Sequence, residues 1–168
     1  METAITVLII VGVLIFGILG LAQNSISMQS TISQSTGTMQ ARLDDRSRTN
    51  LLPMSALVDP LLGTWVDVTV RNTGSTKLAN FDKWDVILQY TDVFGAARVQ
   101  WFPYTTSWSQ QIYQTAPTVV EVFDPGIFNP GEEMVIRVNV PVAIRIGSTN
   151  QVTLATPSGI TASTVFMR

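Results

Sequence analysis

Hydrophobic and polar positions divide this chain into two parts with different periods. Ala4 to Ala22 is apolar at almost every position, interrupted by Thr6 and by glycines at 12, 17 and 20. Such a run, at about 1.5 Å rise per helical residue, is roughly long enough to span the hydrocarbon core of a bilayer. Gln23 to Ala41 then reads QNSISMQSTISQSTGTMQA, dominated by serine, threonine and glutamine. Apolar residues recur at Ile26, Met28, Ile32, Met39 and Leu43, close to helical spacing. Pro53 disfavours helix at the residue before it, which ends the element near residues 50–52. The pattern predicts one helix from about residue 2 to about residue 50, with Gly37 a weak point costing about 1 kcal/mol.

From residue 51 the period changes to two. Trp65 to Arg71 alternates, with Val66, Val68 and Val70 on one face. Asn72-Thr73-Gly74-Ser75 supplies turn chemistry. Trp84, Val86, Leu88 and Tyr90 share one face of the next strand. Ala97 to Tyr104 and Val119 to Phe123 read as further strands. After the turn Asn129-Pro130-Gly131, apolar residues alternate at Met134, Ile136, Val138 and Val140. Residues 151–156 and 160–166 close the chain, separated by Pro157-Ser158-Gly159. About seven strands, with turn signals roughly every 8–14 residues, predict a two-sheet antiparallel sandwich. The expected fold class is α+β. A long N-terminal hydrophobic α-helix (residues 1–50, apolar segment 3–22) precedes an antiparallel Ig-like β-sandwich head (residues 51–168).

Charge sharpens the reading of the helix. After Glu2 no charged residue appears until Arg42. A solvated helix usually carries Glu/Lys pairs on its exposed face. Avoiding charge for so long suits a helix surrounded by other helices, where hydroxyl and amide side chains hydrogen-bond and an unpaired charge is costly. The other readings are a Ser/Thr/Gln linker after a cleaved secretory signal, or after a single-span anchor. A signal fits poorly, because no basic region precedes the apolar run. Arg42, Arg46 and Arg48 give little orientation signal, being far from the apolar run and beside Asp44 and Asp45.

Composition removes much chemistry. The chain of 168 residues has no cysteine and no histidine. Disulfides, thiol nucleophiles, His-based triads and the commonest metal ligands are therefore excluded. Ten basic residues against twelve acidic, net charge −2, give no electrostatic case for nucleic acid. Charged residues are 13% and apolar residues 46%, which points to a membrane or to partners that hide much of the surface. Asp82 and Asp85 flank Lys83 at a strand entry, where solvated turn residues are the default and a surface calcium site is the alternative. Glu132-Glu133 reads as a solvated strand start. Trp101, Tyr104 and Trp108 suit a subunit contact or core edge, and alternatively a sugar platform. No Asn-x-Ser/Thr sequon exists. No enzyme activity and no cofactor are expected.

An apolar, charge-poor N-terminal helix leading into a small β head resembles type IV pilin-like subunits. Within that superfamily the chain is similar to archaellins, the filament subunits of the archaeal swimming organelle. The likeness rests on the first 50 residues, on Val70-Arg-Asn-Thr-Gly-Ser-Thr-Lys-Leu78, on Asn129-Pro-Gly-Glu132 and on Thr156-Pro-Ser-Gly159. The two turn motifs also resemble those of archaellum stator proteins. The resemblance implies a precursor whose short basic leader is removed in the membrane, after which helices bundle as a filament core. No leader precedes Met1 here, so the expectation is a processed chain or one without a leader. Many pilins carry glutamate at the fifth mature position, where this chain has Ile5 and its only early acid is Glu2.

These readings combine into a homopolymer of identical subunits, membrane-inserted before assembly and then extracellular, with further cell-envelope contacts. Assembly would run through Glu2, Ile5, Ile9, Val13, Phe16, Leu19, Ile32 and Met39, with Glu2 either pairing with an α-amine to set register or lining a wet end of the helix bundle. The alternatives are a single-span, stator-like protein whose sandwich grips the cell wall, and a membrane-anchored sugar-binding module.

Overall fold

The structure is a computed structural model and describes residues 7–20, 23, 28, 29 and 32–168. Two compact units divide the chain, Met1–Leu43 and Asp44–Arg168. Helix α1 has the bounds Glu2–Arg48, and apart from residues 23, 28 and 29 its described residues form two stretches, 7–20 and 32–48. Here the expected long hydrophobic helix is corrected. No helix among the described residues is long and apolar enough to cross a membrane. The stretch 7–20, at about 1.5 Å per residue, covers roughly two thirds of a hydrocarbon core. The stretch 32–48 is polar and ends in Arg42, Asp44, Asp45, Arg46 and Arg48.

The expected strand number is corrected as well, from seven to nine. They are β1 (Leu51–Val58), β2 (Trp65–Asn72), β3 (Asp85–Thr91), β4 (Ala97–Phe102), β5 (Trp108–Thr115), β6 (Val119–Val120), β7 (Glu133–Asn139), β8 (Thr149–Ala155) and β9 (Thr161–Met167). One antiparallel sheet has the order β1-β2-β7-β5-β6 and the other β4-β3-β8-β9. Strands β1 and β5 are the additions, and β6 is shorter than the expected 119–123 segment.

Alternation builds the core. On β2 and β7 the inward pairs are Val66 with Val138, Val68 with Ile136 and Val70 with Met134. On the facing sheet Val86 pairs with Leu154 and Leu88 with Val152. All ten side chains are buried, and Trp108, Phe102, Phe128 and Ile144 fill the space between the sheets. Each such side chain contributes about 1.5–3 kcal/mol relative to exposure. Strands β1 and β9 pack beside each other and close one side of the sandwich.

Candidate functional site

The residues expected to drive assembly do not meet one another in this chain. Ile9, Val13, Phe16 and Leu19 follow helical spacing along one side of the stretch 7–20, and each is more than half exposed. Ile32 and Met39, seven positions apart, are equally open. Glu2 and Ile5 lie outside the described residues.

At the end of the sandwich where β1 begins, the turn motifs read from the sequence are tied together by one side chain. Asn72 is fully buried. Its Nδ2 donates to the carbonyls of Thr76 (2.9 Å) and Phe128 (3.1 Å), and its Oδ1 accepts from the Gly74 N–H (3.1 Å). Its backbone accepts from Gly131 N–H at 2.7 Å. In the second turn Pro130 is followed by Gly131 at φ 89°, the geometry a type II turn demands. Glu132 Oε2 there accepts from Asn129 N–H at 2.7 Å. The same end holds the chain entering β1. Ser75 N–H donates to the Arg48 carbonyl (2.8 Å), and the Thr73 and Gly74 N–H groups to the Asn50 carbonyl (3.0 and 3.1 Å). A side chain at Gly74 would collide with the backbone of Arg48 and Asn50, so only glycine permits this approach.

Charge at this end is mixed with exposed apolar groups. Burial pushes the Glu121 carboxyl up, and the nearby charges of Glu132 and Asp124 add to the effect. Lys77 pairs with Asp124 at 2.8 Å. Val122 and Phe123 between them stand open to solvent.

The opposite end carries three loops with apolar tips, which sequence reasoning missed. Leu61, Leu62, Phe94 and Ile146 are all highly exposed. The loops are bound to one another, with Ile144 N–H donating to the Gly63 carbonyl (3.0 Å) and Val93 N–H to the Ala143 carbonyl (3.0 Å). Arg168 donates to the carbonyls of Ile144 and Leu61. Buried carboxylates hold two of these loops from within. Asp59 accepts from Leu61 N–H (3.0 Å) and from the Thr64 hydroxyl (3.1 Å). Asp92, fully buried, accepts from Phe94 and Ala96 N–H (both 2.9 Å) and from Arg98 Nε (2.6 Å). Burial would push the Asp92 carboxyl up, but Arg98 and the two N–H groups outweigh it and hold it below the usual carboxylate range. The sequence signal was available. Leu62, Phe94 and Ile146 each precede a glycine of positive φ, at Gly63, Gly95 and Gly147.

The aromatic trio does not form a platform. Trp108 is buried between the sheets and Tyr104 packs edge-on against it, with ring centres 4.7 Å apart. Trp101 lies outside, its Nε1 donating to Asp85 Oδ1 at 2.9 Å. Asp85 is thereby engaged, and no group of three or more acidic side chains among the described residues is placed to hold a metal ion. The outer face of the five-stranded sheet forms a hollow of about 630 Å³ lined by Ser109, Gln111, Tyr113 and Thr69. Its rim carries a bidentate Arg137–Asp67 pair (2.6 and 2.7 Å), with the guanidinium 4.4 Å above the Trp65 ring. Nothing in this set supplies a nucleophile with an adjacent base.

No protein-family model and no curated protein sequence matches the chain. Solved structures do. The archaellum periplasmic stator protein FlaG from Sulfolobus acidocaldarius is 16% identical with a TM-score of 0.53, over 70% of this chain and 99% of that one. The stator complex of FlaF and FlaG from the same organism is 17% identical with a TM-score of 0.52, over 69% of this chain and 87% of that one. The archaeal flagellum of Methanospirillum hungatei strain JF1 is 14% identical with a TM-score of 0.53, over 92% of this chain and 88% of that one. At these identities the likeness bears on the fold alone: a two-sheet sandwich of this topology recurs in components of archaella.

Proposed function

We propose that this chain is a non-catalytic, stator-type component of an archaellum-like machine, working in the cell envelope through its sandwich. The observation that carries this is the FlaG likeness, which takes in 99% of that chain and 70% of this one, close to the share that residues 51–168 make up. In this reading the apolar N-terminal residues secure the chain. The end bearing Leu61, Phe94 and Ile146 is the contact surface toward another envelope component. Preorganised loops with apolar tips suit such a role, because little loop entropy is lost on binding. Fractionation of cells that express the chain is the test. The chain should stay with the envelope and be a trace component of sheared filaments. A chain that dominates sheared filaments overturns the reading.

One observation favours the filament-subunit reading. The Methanospirillum hungatei likeness covers 92% of this chain, more than the strands alone make up, so it extends into the helical residues. In a homopolymer the exposed Ile9, Val13, Phe16 and Leu19 would be covered by copies of themselves. Ile9→Lys would then abolish filaments while leaving the sandwich folded, since every copy would bury an unpaired ammonium.

A further inference from the structure

The two sheets have four edges, and three are shielded. Strand β1 carries Pro53 and a bulge between Pro53 and Ser55. Strand β6 is two residues long, and β9 packs beside β1. Strand β4 is neither bulged, shortened nor covered, and its one charged residue, Arg98, is neutralised by Asp92 at 2.6 Å. Its register with β3 runs without a break from Ala97 to Phe102, it contains no proline, and Val99 and Trp101 on its outer face are 72% and 53% exposed. Proteins usually blunt an edge of this kind, because its free N–H and C=O groups recruit another strand.

The direction of those groups follows from the hairpin. Asp92 N–H donates to the Ala96 carbonyl at 2.9 Å, which makes 92/96 a hydrogen-bonded pair. Bonded and non-bonded pairs alternate along an antiparallel ladder. The pairs 91/97, 89/99 and 87/101 are therefore non-bonded, and the N–H and C=O groups of Ala97, Val99 and Trp101 face away from β3.

We infer that β4 pairs antiparallel with β4 of a second copy, about a two-fold axis at Val99, joining the two four-stranded sheets into one of eight. This register sets Val99 against the second copy's Val99, and Ala97 against its Trp101. All three residues with outward groups then meet one another. A shift of one residue would face them with residues whose groups are already bonded to β3. A shift that centres the axis on Arg98 would set like charges directly opposite, which is destabilising. In the chosen register Arg98 lies opposite Gln100, and a large indole lies beside a methyl group on the outer face. The pairing stands whichever machine the chain serves.

The full chain in mild detergent allows a clean test, because it has no cysteine. Val99→Cys would put two thiols opposite each other at about 5.5 Å between Cα atoms, within disulfide reach. Oxidation should give a covalent dimer at least about ten-fold faster than Val165→Cys, a similarly exposed position on β9, through the higher effective concentration. Equal rates overturn the proposal. Ala97→Cys and Trp101→Cys test the register. Each alone should form no covalent dimer faster than Val165→Cys does, and a mixture of the two should cross-link. Cross-linking of Ala97→Cys alone as fast as the mixture overturns the pairing. Circular dichroism of each variant confirms that the strands are intact.

Discussion

Val13 and Val66 have the same side chain and opposite fates. Val13 is 67% exposed on the helix, whereas Val66 is fully buried between the sheets. Ile15 and Ile136 repeat the contrast. The difference lies in the period. In β2 every second residue points at the facing sheet, so the chain supplies the cover that each valine needs. In the stretch 7–20 apolar residues occupy all sides, and no single neighbour could cover them. Apolar composition therefore measures how much cover a segment requires, and periodicity shows whether the chain itself provides it.

The strongest challenge to this contrast is one deletion made in both places. Ile136→Ala should lower the stability of the sandwich by about 2–5 kcal/mol. Ile15→Ala should leave the sandwich transition of the same chain unchanged in detergent, as denaturant titration would read. An equal loss from Ile15→Ala would mean that the helical residues are covered by their own sandwich. Next comes Asn72→Ala, which leaves the Thr76 carbonyl without its amide donor and the Phe128 carbonyl with only the Leu78 N–H, and should cost about 1–3 kcal/mol. Thermal melting with circular dichroism would measure it, and a change below the effect of a surface substitution would remove Asn72 as the tie between the two turns.

A pH series gives a smaller and more selective effect. The folded Asp92 carboxyl sits below its ordinary range, so its contribution is present above that range and lost as pH falls through the lowered value. Melting temperature should therefore fall as the solution is acidified below the usual carboxylate range. Asp92→Asn should flatten that limb of the curve, and an unchanged acid limb would show that other carboxylates carry it. Smallest of all, Met39→Ala should change the sandwich melting by less than about 0.5 kcal/mol, as surface substitutions do. Any larger shift would contradict an open position for Met39.

The inward faces of β2, β3 and β7 were legible because their alternation is strict, and each residue placed inward by the sequence is buried. Strand β1 was not, because Leu51-Leu-Pro-Met-Ser-Ala-Leu-Val58 lacks alternation. Its proline, read as a helix stop, is tolerated on an edge at a bulge. Strand β5 was missed because only Trp108 and Ile112 are buried among its polar residues. The helix was misread in length because an apolar run reports a need for cover and not how far one helix carries it. The exposed loop tips were visible only as apolar residues before glycine. The free edge of β4 depends on which strand neighbours which, and no local pattern encodes that.

The clasp at Gly74 has a mechanical consequence. The chain enters β1 between the Asn50–Thr73 and Arg48–Ser75 hydrogen bonds, and β1 then runs the length of the sandwich against β2. Antiparallel bonds lie perpendicular to the strands. A pull on residue 49, resisted at the loops of the far end, loads the rungs between β1 and β2 in shear and all at once. They cannot open one after another like a zipper. Asp59 sits at the far end of the same strand, with its carboxylate fastening the turn that follows. Tension entering at the first strand is thus spread over its whole length.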